Sequence, residues 1–344
     1  MAVSTVMMGG GNMLALYVAK PNELELRRLE AVRSPQGDEV KIKLIYGGIC
    51  GSDLGVLKGK LPHANYPVRA GHELVGVIVE KGEQAAYDIG TRVVVLPNTY
   101  CGACDLCQKG LTNICRHKQS LGINTDGGFS HEFIISSKYV LPVPDDLSDE
   151  KAVLVEPFAV VVHALSKVRI EPAMRVAVIG CGNEGMMAAV LARHFGADVT
   201  AVDVNPLKLE TVKAMADIRT LAPDALSGET FDVVIEAAGA REAVEQAAEL
   251  VAPGGHLVLI GLANEATFPV VRLVRNEVTV HGSIIYRFPD DYLQAIHYLR
   301  TMPHPIERVI SRIFPVRDYE QAYELASSGN AGKVVLRFKE EEER

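Results

Sequence analysis

The order of apolar and polar positions divides the chain into two kinds of sequence. Between residues 39 and 144 the short runs EVKIKLIYGGIC, ELVGVIVEKG, TRVVVLP and SHEFIISSKYVLPVP are rich in strand-forming residues and are separated by glycine and proline turns. Such segments, repeated with that punctuation, predict a β-barrel-like domain. From about residue 165 the rhythm changes. Continuous apolar runs, RVAVI at 175–179, DVTAV at 198–202, FDVVIEAAG at 231–239, GGHLVLIGL at 254–262 and VTVHGSIIY at 278–286, alternate with segments long enough to be helices. Buried strands separated by helices predict a parallel, doubly wound sheet.

At 344 residues the chain exceeds one ordinary domain and accommodates two cores. No run of eighteen uninterrupted apolar residues is present, so no membrane partner is expected. The opening MAVSTVMMGGGNMLALYV lacks a cationic segment followed by an apolar stretch, and the reading is a cytoplasmic protein. A formal net charge of −8 without a basic stripe argues against a nucleic-acid partner. The C-terminal KEEEER reads as a solvated tail.

Four of the six cysteines, Cys101, Cys104, Cys107 and Cys115, fall in one stretch, TYCGACDLCQKGLTNIC. A disulfide framework belongs to small secreted domains, and redox thiols usually come singly or as one CxxC. The spacing C-x2-C-x2-C-x7-C, with Gly102 and Gly110 for tight turns, suits a structural zinc held by four thiolates. A closed shell of that kind braces a loop and leaves no position for chemistry.

Downstream, the strand ending at Ile179 runs into Gly180-x-Gly182-x-x-Gly185, then a helical segment and a second strand ending at Asp203. Glycine loop, helix and acid at that distance form a dinucleotide-binding unit. Gly180 and Gly182 permit the turn and the approach of pyrophosphate to the helix start, and Gly185 permits close packing of helix on strand. Glu184 belongs to the same cofactor-binding set. Asp203 accepts the ribose hydroxyls and repels a 2′-phosphate, so the expected cofactor is NAD rather than NADP. Cys181, inside the loop, reads as a small packing residue.

Upstream, GGICGSDLG at 47–55 and GHE at 71–73 are followed by VLVEPFAV at 153–160. Cys50, His72 and a carboxylate offer three zinc ligands from three segments, with a fourth position left for water or substrate. With the four-cysteine lobe and the glycine loop in the same order, the chain resembles the zinc-dependent medium-chain dehydrogenases, the alcohol and polyol dehydrogenase family, from about Leu14 to Phe338. The resemblance implies a chaperonin-ten-like β-barrel catalytic domain plus a doubly wound Rossmann NAD-binding domain. The expected limits are 1–160 for the first part of the catalytic domain, with the zinc lobe at 99–116, then 161–294 for the nucleotide domain and 295–344 for the return.

Residue by residue, Cys50 and His72 match the family's common catalytic zinc ligands, and Glu156 matches the glutamate that serves as a ligand in the sorbitol dehydrogenase branch. Glu73 matches a carboxylate behind the metal or joined to it through water. Asp53 matches the acid on the histidine ligand. Ser52 matches the hydroxyl that takes the substrate proton. Lys208 matches a residue near the adenosine ribose, while Gly261, Ile284 and Tyr286 match positions along the nicotinamide side. The pattern departs from the sorbitol enzymes at Gly55, Val56 and Ile285, where those enzymes or their relatives carry a relay histidine, an aromatic residue and an arginine.

The implied chemistry uses two zinc ions per chain, one catalytic and one structural, with NAD. A secondary alcohol of a polyol, sugar acid or related polar molecule is oxidised to a ketone, Ser52 receiving the proton and the nicotinamide the hydride. The alternatives are 2,3-butanediol or L-threonine 3-dehydrogenase activity and, more remotely, a non-catalytic NAD-binding zinc protein. By the same analogy the chain is a homodimer or homotetramer.

Overall fold

The structure is a computed structural model that describes residues 13–339. The first dozen residues and the charge run after Lys339 lie outside it. The described chain divides into two compact units: one runs to Glu156 and resumes at Ile310, and the other is Pro157–Val309.

The first unit contains β1 (Met13–Lys20), β2 (Glu23–Leu29), β3 (Glu39–Ile49), then α1 (Gly51–Leu57), β4 (Val68–Arg69), β5 (Glu73–Lys81) and β6 (Arg92–Val95). After α2 (Asp105–Gln108) come β7 (Glu132–Ser136), β8 (Val140–Pro142) and α3 (Asp149–Ala152); α4 (Val155–Leu165) leads into the second unit. β3 is central because it pairs with β5 and β7 and, near its end, with the strand at Lys333–Arg337; Val40, Ile42 and Leu44 enter the core. Phe129 fills the space beneath it, completely buried against two glycines. A Cβ would stand 2.4 Å from that ring at Gly47 and 1.9 Å at Gly71.

The second unit is the predicted doubly wound sheet. It runs through β9 (Arg175–Ile179), α5 (Asn183–His194), β10 (Asp198–Val202), α6 (Pro206–Met215), β11 (Arg219–Leu221), β12 (Phe231–Glu236), α7 (Arg241–Glu249), β13 (Val251–Leu259), α8 (Val270–Arg275), β14 (Thr279–Gly282) and α9 (Asp290–Thr301). The strands are parallel in the order β11-β10-β9-β12-β13-β14. The order reverses between β9 and β12, the place where an open α/β sheet binds its ligand outside the strands' carboxyl ends. Helix α5 is apolar nearly all round because it is covered: Gly185 through Ala192 are all buried.

The chain then re-enters the first unit through β15 (Ile310–Pro315), α10 (Tyr319–Ser327) and β16 (Lys333–Arg337). β16 lies antiparallel to β3, Val335 opposite Gly48, and extends the sheet to the order β15-β16-β3-β5-β6-β8. The return falls at Ile310 rather than residue 295, because α9 buries Tyr292, Ala295 and Leu299 and its Tyr298 packs edge-on against Phe195 of the second unit. The run at 278–286 is only half strand. β14 stops at Gly282, and Ile285 adopts φ +41°, which no extended ladder accommodates. Among the described residues no helix is long and apolar enough to cross a membrane.

Because Phe129 fills a space that its glycine neighbours cannot close, Phe129→Ala is expected to lower stability by about 3–5 kcal/mol, read from urea unfolding of the purified protein.

Candidate functional site

Strand β3 delivers the chain to Cys50, the N-cap of α1, with Asp53 at the third helical position. Asp53 organises the groups around it. Its Oδ2 accepts the Cys50 N–H at 2.9 Å, and its Oδ1 lies 3.4 Å from both the Gly71 N–H and His72 Nδ1. The last distance is long and Nδ1 has no well-formed hydrogen bond, so the pair interacts through charge. The other ring nitrogen, Nε2, stands 3.2 Å from Ser52 Oγ. The ligand atoms of Cys50, His72 and Glu73 all lie within 4.8 Å of one another. Burial opposes charge on His72, but Asp53 and then Cys50 outweigh it and hold the imidazole well above its ordinary basicity. Burial, and after it the charge of Glu73, pushes the Cys50 thiol up.

Glu73 sits at the head of β5, fully buried, with Oε1 accepting from Lys333 Nζ at 2.6 Å. Its Oε2 is buried without a partner, an orphan of the kind a cation satisfies. Gly48 makes the room, since a Cβ there would stand 2.0 Å from that oxygen. Sulfur, nitrogen and oxygen donors converging around an orphaned carboxylate oxygen fit a zinc ion. Glu156 is buried in the first turn of α4 and stands outside the three converging groups. Sequence reasoning missed Lys333; its signal was a lone lysine heading the apolar run KVVLRF. It also missed Tyr323 of α10, whose phenol is driven well above its usual pKa by burial and then by the charge of Asp53.

The four-cysteine lobe is brought together as expected. Sγ–Sγ distances are 3.9 Å for Cys101 and Cys107, 3.9 Å for Cys104 and Cys115, and 3.5 Å for Cys101 and Cys115. A tetrahedron with arms of about 2.3 Å has edges of about 3.8 Å, so the sulfurs already have a zinc shell's dimensions. Backbone N–H groups of Cys104, Cys101 and His117 point at sulfur at 3.4 Å. Such donors, from Cys107 and Arg116, bring the Cys104 thiol down to about 6.

In the second unit a cavity of about 540 Å³ opens at the carboxyl ends of β9 and β10, bounded by Gly180, Asp203, Val204, Pro223, Ala238 and Ala243. Gly180 has φ +94°, and a side chain there would come within 2.6 Å of Ala238 N. A Cβ at Gly185 would stand 1.8 Å from the Gly180 carbonyl, the close helix–strand contact the motif requires. Asp203 is fixed by N–H donors from Cys181 at 2.6 Å and Asn205 at 2.8 Å. Asp203 and Glu242 are the charged residues of the lining, which holds no cation. An apolar slot beside a fixed carboxylate fits an adenosine. Lys208 is near enough to act on Cys181, although burial dominates and pushes that thiol to about 12. Glu184 is half-buried in the first turn of α5, and Gly182 is its N-cap.

On the other side of the switch point Gly261 packs so closely that a Cβ would meet Gly239 N at 2.3 Å. Ile284 is 37% exposed, whereas the Tyr286 ring is buried edge-on against Tyr292. Tyr286 therefore offers its ring to the packing. Val56 is also core, fully buried, so its departure from the sorbitol enzymes concerns packing rather than an open pocket face; beside Gly55 the space is taken by Leu61.

Residues 36–145 match the alcohol dehydrogenase GroES-like domain, and residues 185–301 match the zinc-binding dehydrogenase family. The chain is 31% identical to a sorbitol dehydrogenase of Bacillus subtilis over 96% of its length and 95% of the relative's. It is 30% identical to an L-galactonate-5-dehydrogenase of Escherichia coli over 91% and 94%. A zinc-binding dehydrogenase of Sinorhizobium meliloti, solved bound to NADP, superposes with a TM-score of 0.88 at 28% identity, covering 94% of this chain and 99% of that one. The chain belongs to the zinc-dependent medium-chain alcohol and polyol dehydrogenases.

Lys333→Met leaves the Glu73 carboxylate buried without its counter-charge and is expected to destabilise the protein by about 3–5 kcal/mol. Adding Glu73→Gln should recover most of that loss, as measured by urea unfolding of the two variants.

Proposed function

We propose that this chain oxidises a secondary alcohol of a polyol or sugar acid to a ketone with NAD as acceptor. The observation that carries the reading is the convergence of Cys50, His72 and Glu73 with the Ser52 hydroxyl 3.2 Å from His72 Nε2. A zinc ion held there supplies Lewis acidity that lowers the pKa of a hydroxyl bound to it. Ser52 is placed to relay that hydroxyl's proton, accepting it as its own O–H proton passes to water. Asp53 accepts the Cys50 N–H and, with Oδ1 3.4 Å from His72 Nδ1, favours the tautomer whose proton is on Nδ1, which leaves the Nε2 lone pair for the metal. Family resemblance adds Glu156 as the third ligand, with Glu73 behind. An oxygen donor in place of a second thiolate makes the site harder and favours a polar substrate. Cys101, Cys104, Cys107 and Cys115 hold the structural zinc.

Asp203, locked by two backbone N–H groups in a cavity without cations, supports NAD over NADP even though the Sinorhizobium meliloti relative was solved with NADP. Nicotinamide accepts the hydride when bound. The exposed edge of the sheet at Val280 of β14 and the exposed Val270, Val271 and Val274 of α8 support association of copies into a homodimer or homotetramer. We place the protein in the cytoplasm.

The test is coenzyme reduction across polyols, aldonates, their phosphates, vicinal diols and threonine, with zinc measured on the same sample. Turnover is expected on polyols or sugar acids, faster with NAD than NADP, and Ser52→Ala should lower kcat by roughly 10²-fold or more. Rates confined to primary alcohols, or a Ser52→Ala enzyme at full rate with chemistry limiting, overturn the reading.

A further inference from the structure

Beyond β14 the backbone leaves the sheet in an arc. Ser283 N–H makes the last ladder bond, to the Leu259 carbonyl at 3.0 Å, and Ile285 then takes φ +41°. A β-branched residue in the left-handed region is a genuine outlier, and such strain persists only where the surroundings over-determine it. Here the surroundings are identifiable. At the far end of the arc Arg287 donates its N–H to Asp291 Oδ2 at 2.6 Å, and Asp291 returns its own N–H to the Arg287 carbonyl at 3.0 Å. The same Oδ2 is held by His163 Nδ1 of α4 at 2.8 Å. A carboxylate only accepts, so the proton of that bond lies on Nδ1. His163 Nε2 is buried with no partner, so the imidazole's polar contact in this place is Asp291. Tyr286 and Phe288 pin the arc from within, edge-on to Tyr292 at 4.9 and 5.3 Å, while Ile284 points outward. Lys167 also feels Asp291 and Arg287, but burial is the larger influence on it.

The arc lies at the carboxyl end of β14. In a parallel sheet that is the same edge as the glycine loop after β9 and Gly261 after β13. The adenosine cavity lies at the switch point, between the ends of β9 and β10 and the residues that follow β12, so a dinucleotide continuing along the strand ends meets β13 and β14. Three strand spacings of about 4.8 Å separate β9 from β14, a distance of about 14 Å.

We propose that His163 and Asp291 are a positioning pair. They hold the 283–287 arc in its strained form and so set how tightly the nicotinamide end of the coenzyme is held. This rests on the NAD reading above. Neither residue touches the coenzyme in this proposal; both act through the backbone of the arc. Releasing the clamp lets Ile285 relax to an ordinary φ and withdraws the surface offered to the nicotinamide, with the adenosine cavity unaffected.

The experiment compares binding of NADH with binding of ADP-ribose, which lacks the nicotinamide, by calorimetry on the full-length zinc-loaded protein. Asp291→Ala should weaken NADH about tenfold and leave ADP-ribose within about twofold. Adding Ile285→Gly, which takes positive φ without strain, should restore much of the NADH affinity. ADP-ribose binding serves as the check on folding, and if Asp291→Ala does not fold, His163→Gln should show the same separation to a smaller degree. Equal weakening of both ligands, or unchanged NADH affinity, overturns the positioning role. Wild-type protein that binds neither ligand overturns the coenzyme reading and the pair's role with it, and is distinguishable because the failure precedes any substitution.

Discussion

The first unit depends on one buried ion pair. Glu73 and Lys333 have no solvent exposure, and their charged atoms stand 2.6 Å apart. Two isolated charges placed there would be prohibitive, so each requires the other. Glu73 heads β5 and Lys333 heads β16, both neighbours of β3, so the pair ties β16, the last strand among the described residues, to the strand that carries a member of the candidate metal site. This gives a physical reason why the chain must return after the nucleotide unit. Without β16 the carboxylate behind the site has no counter-charge, and with it one oxygen is satisfied and the other left over for a cation.

A second economy surrounds Asp53. One carboxylate closes the capping box of α1, fixes the Cys50 backbone and faces the His72 ring, so two candidate ligands twenty-two residues apart are aligned by a single side chain. By donor set, the two candidate metal centres would divide their labour. Four sulfurs at tetrahedral spacing would leave nothing for a substrate, whereas Cys50, His72 and an oxygen donor would leave a position open beside a hydroxyl.

The parts legible in the sequence are those whose signal is local. The four cysteines, the glycine loop with Asp203, and the alternation of apolar strands and helices each sit within one short stretch, and each lies in the place its pattern predicts. What the sequence conceals is non-local or conformational. Lys333 looks like any lysine at a strand start until β16 is laid against β3. Ile285 belongs to a run of strand-forming residues, yet the strand ends at Gly282, Ile285 takes a positive φ and the Tyr286 ring is buried in the packing. Val56 matches a pocket position by resemblance and is instead buried packing, because α1 turns that side into the barrel core. A domain limit near residue 295 rests on resemblance alone, whereas α9 belongs to the nucleotide unit through its buried face.

An open zinc centre at Cys50 and His72 is the central claim, and anomalous diffraction at the zinc absorption edge from crystals of protein purified without chelators tests it most directly. One peak is expected inside the sulfurs of Cys101, Cys104, Cys107 and Cys115, and another about 2.0–2.3 Å from Cys50 Sγ and His72 Nε2, with Glu156 or Glu73 completing the shell. A peak confined to the four-cysteine lobe, with Cys50 and His72 metal-free after zinc is supplied, would contradict it.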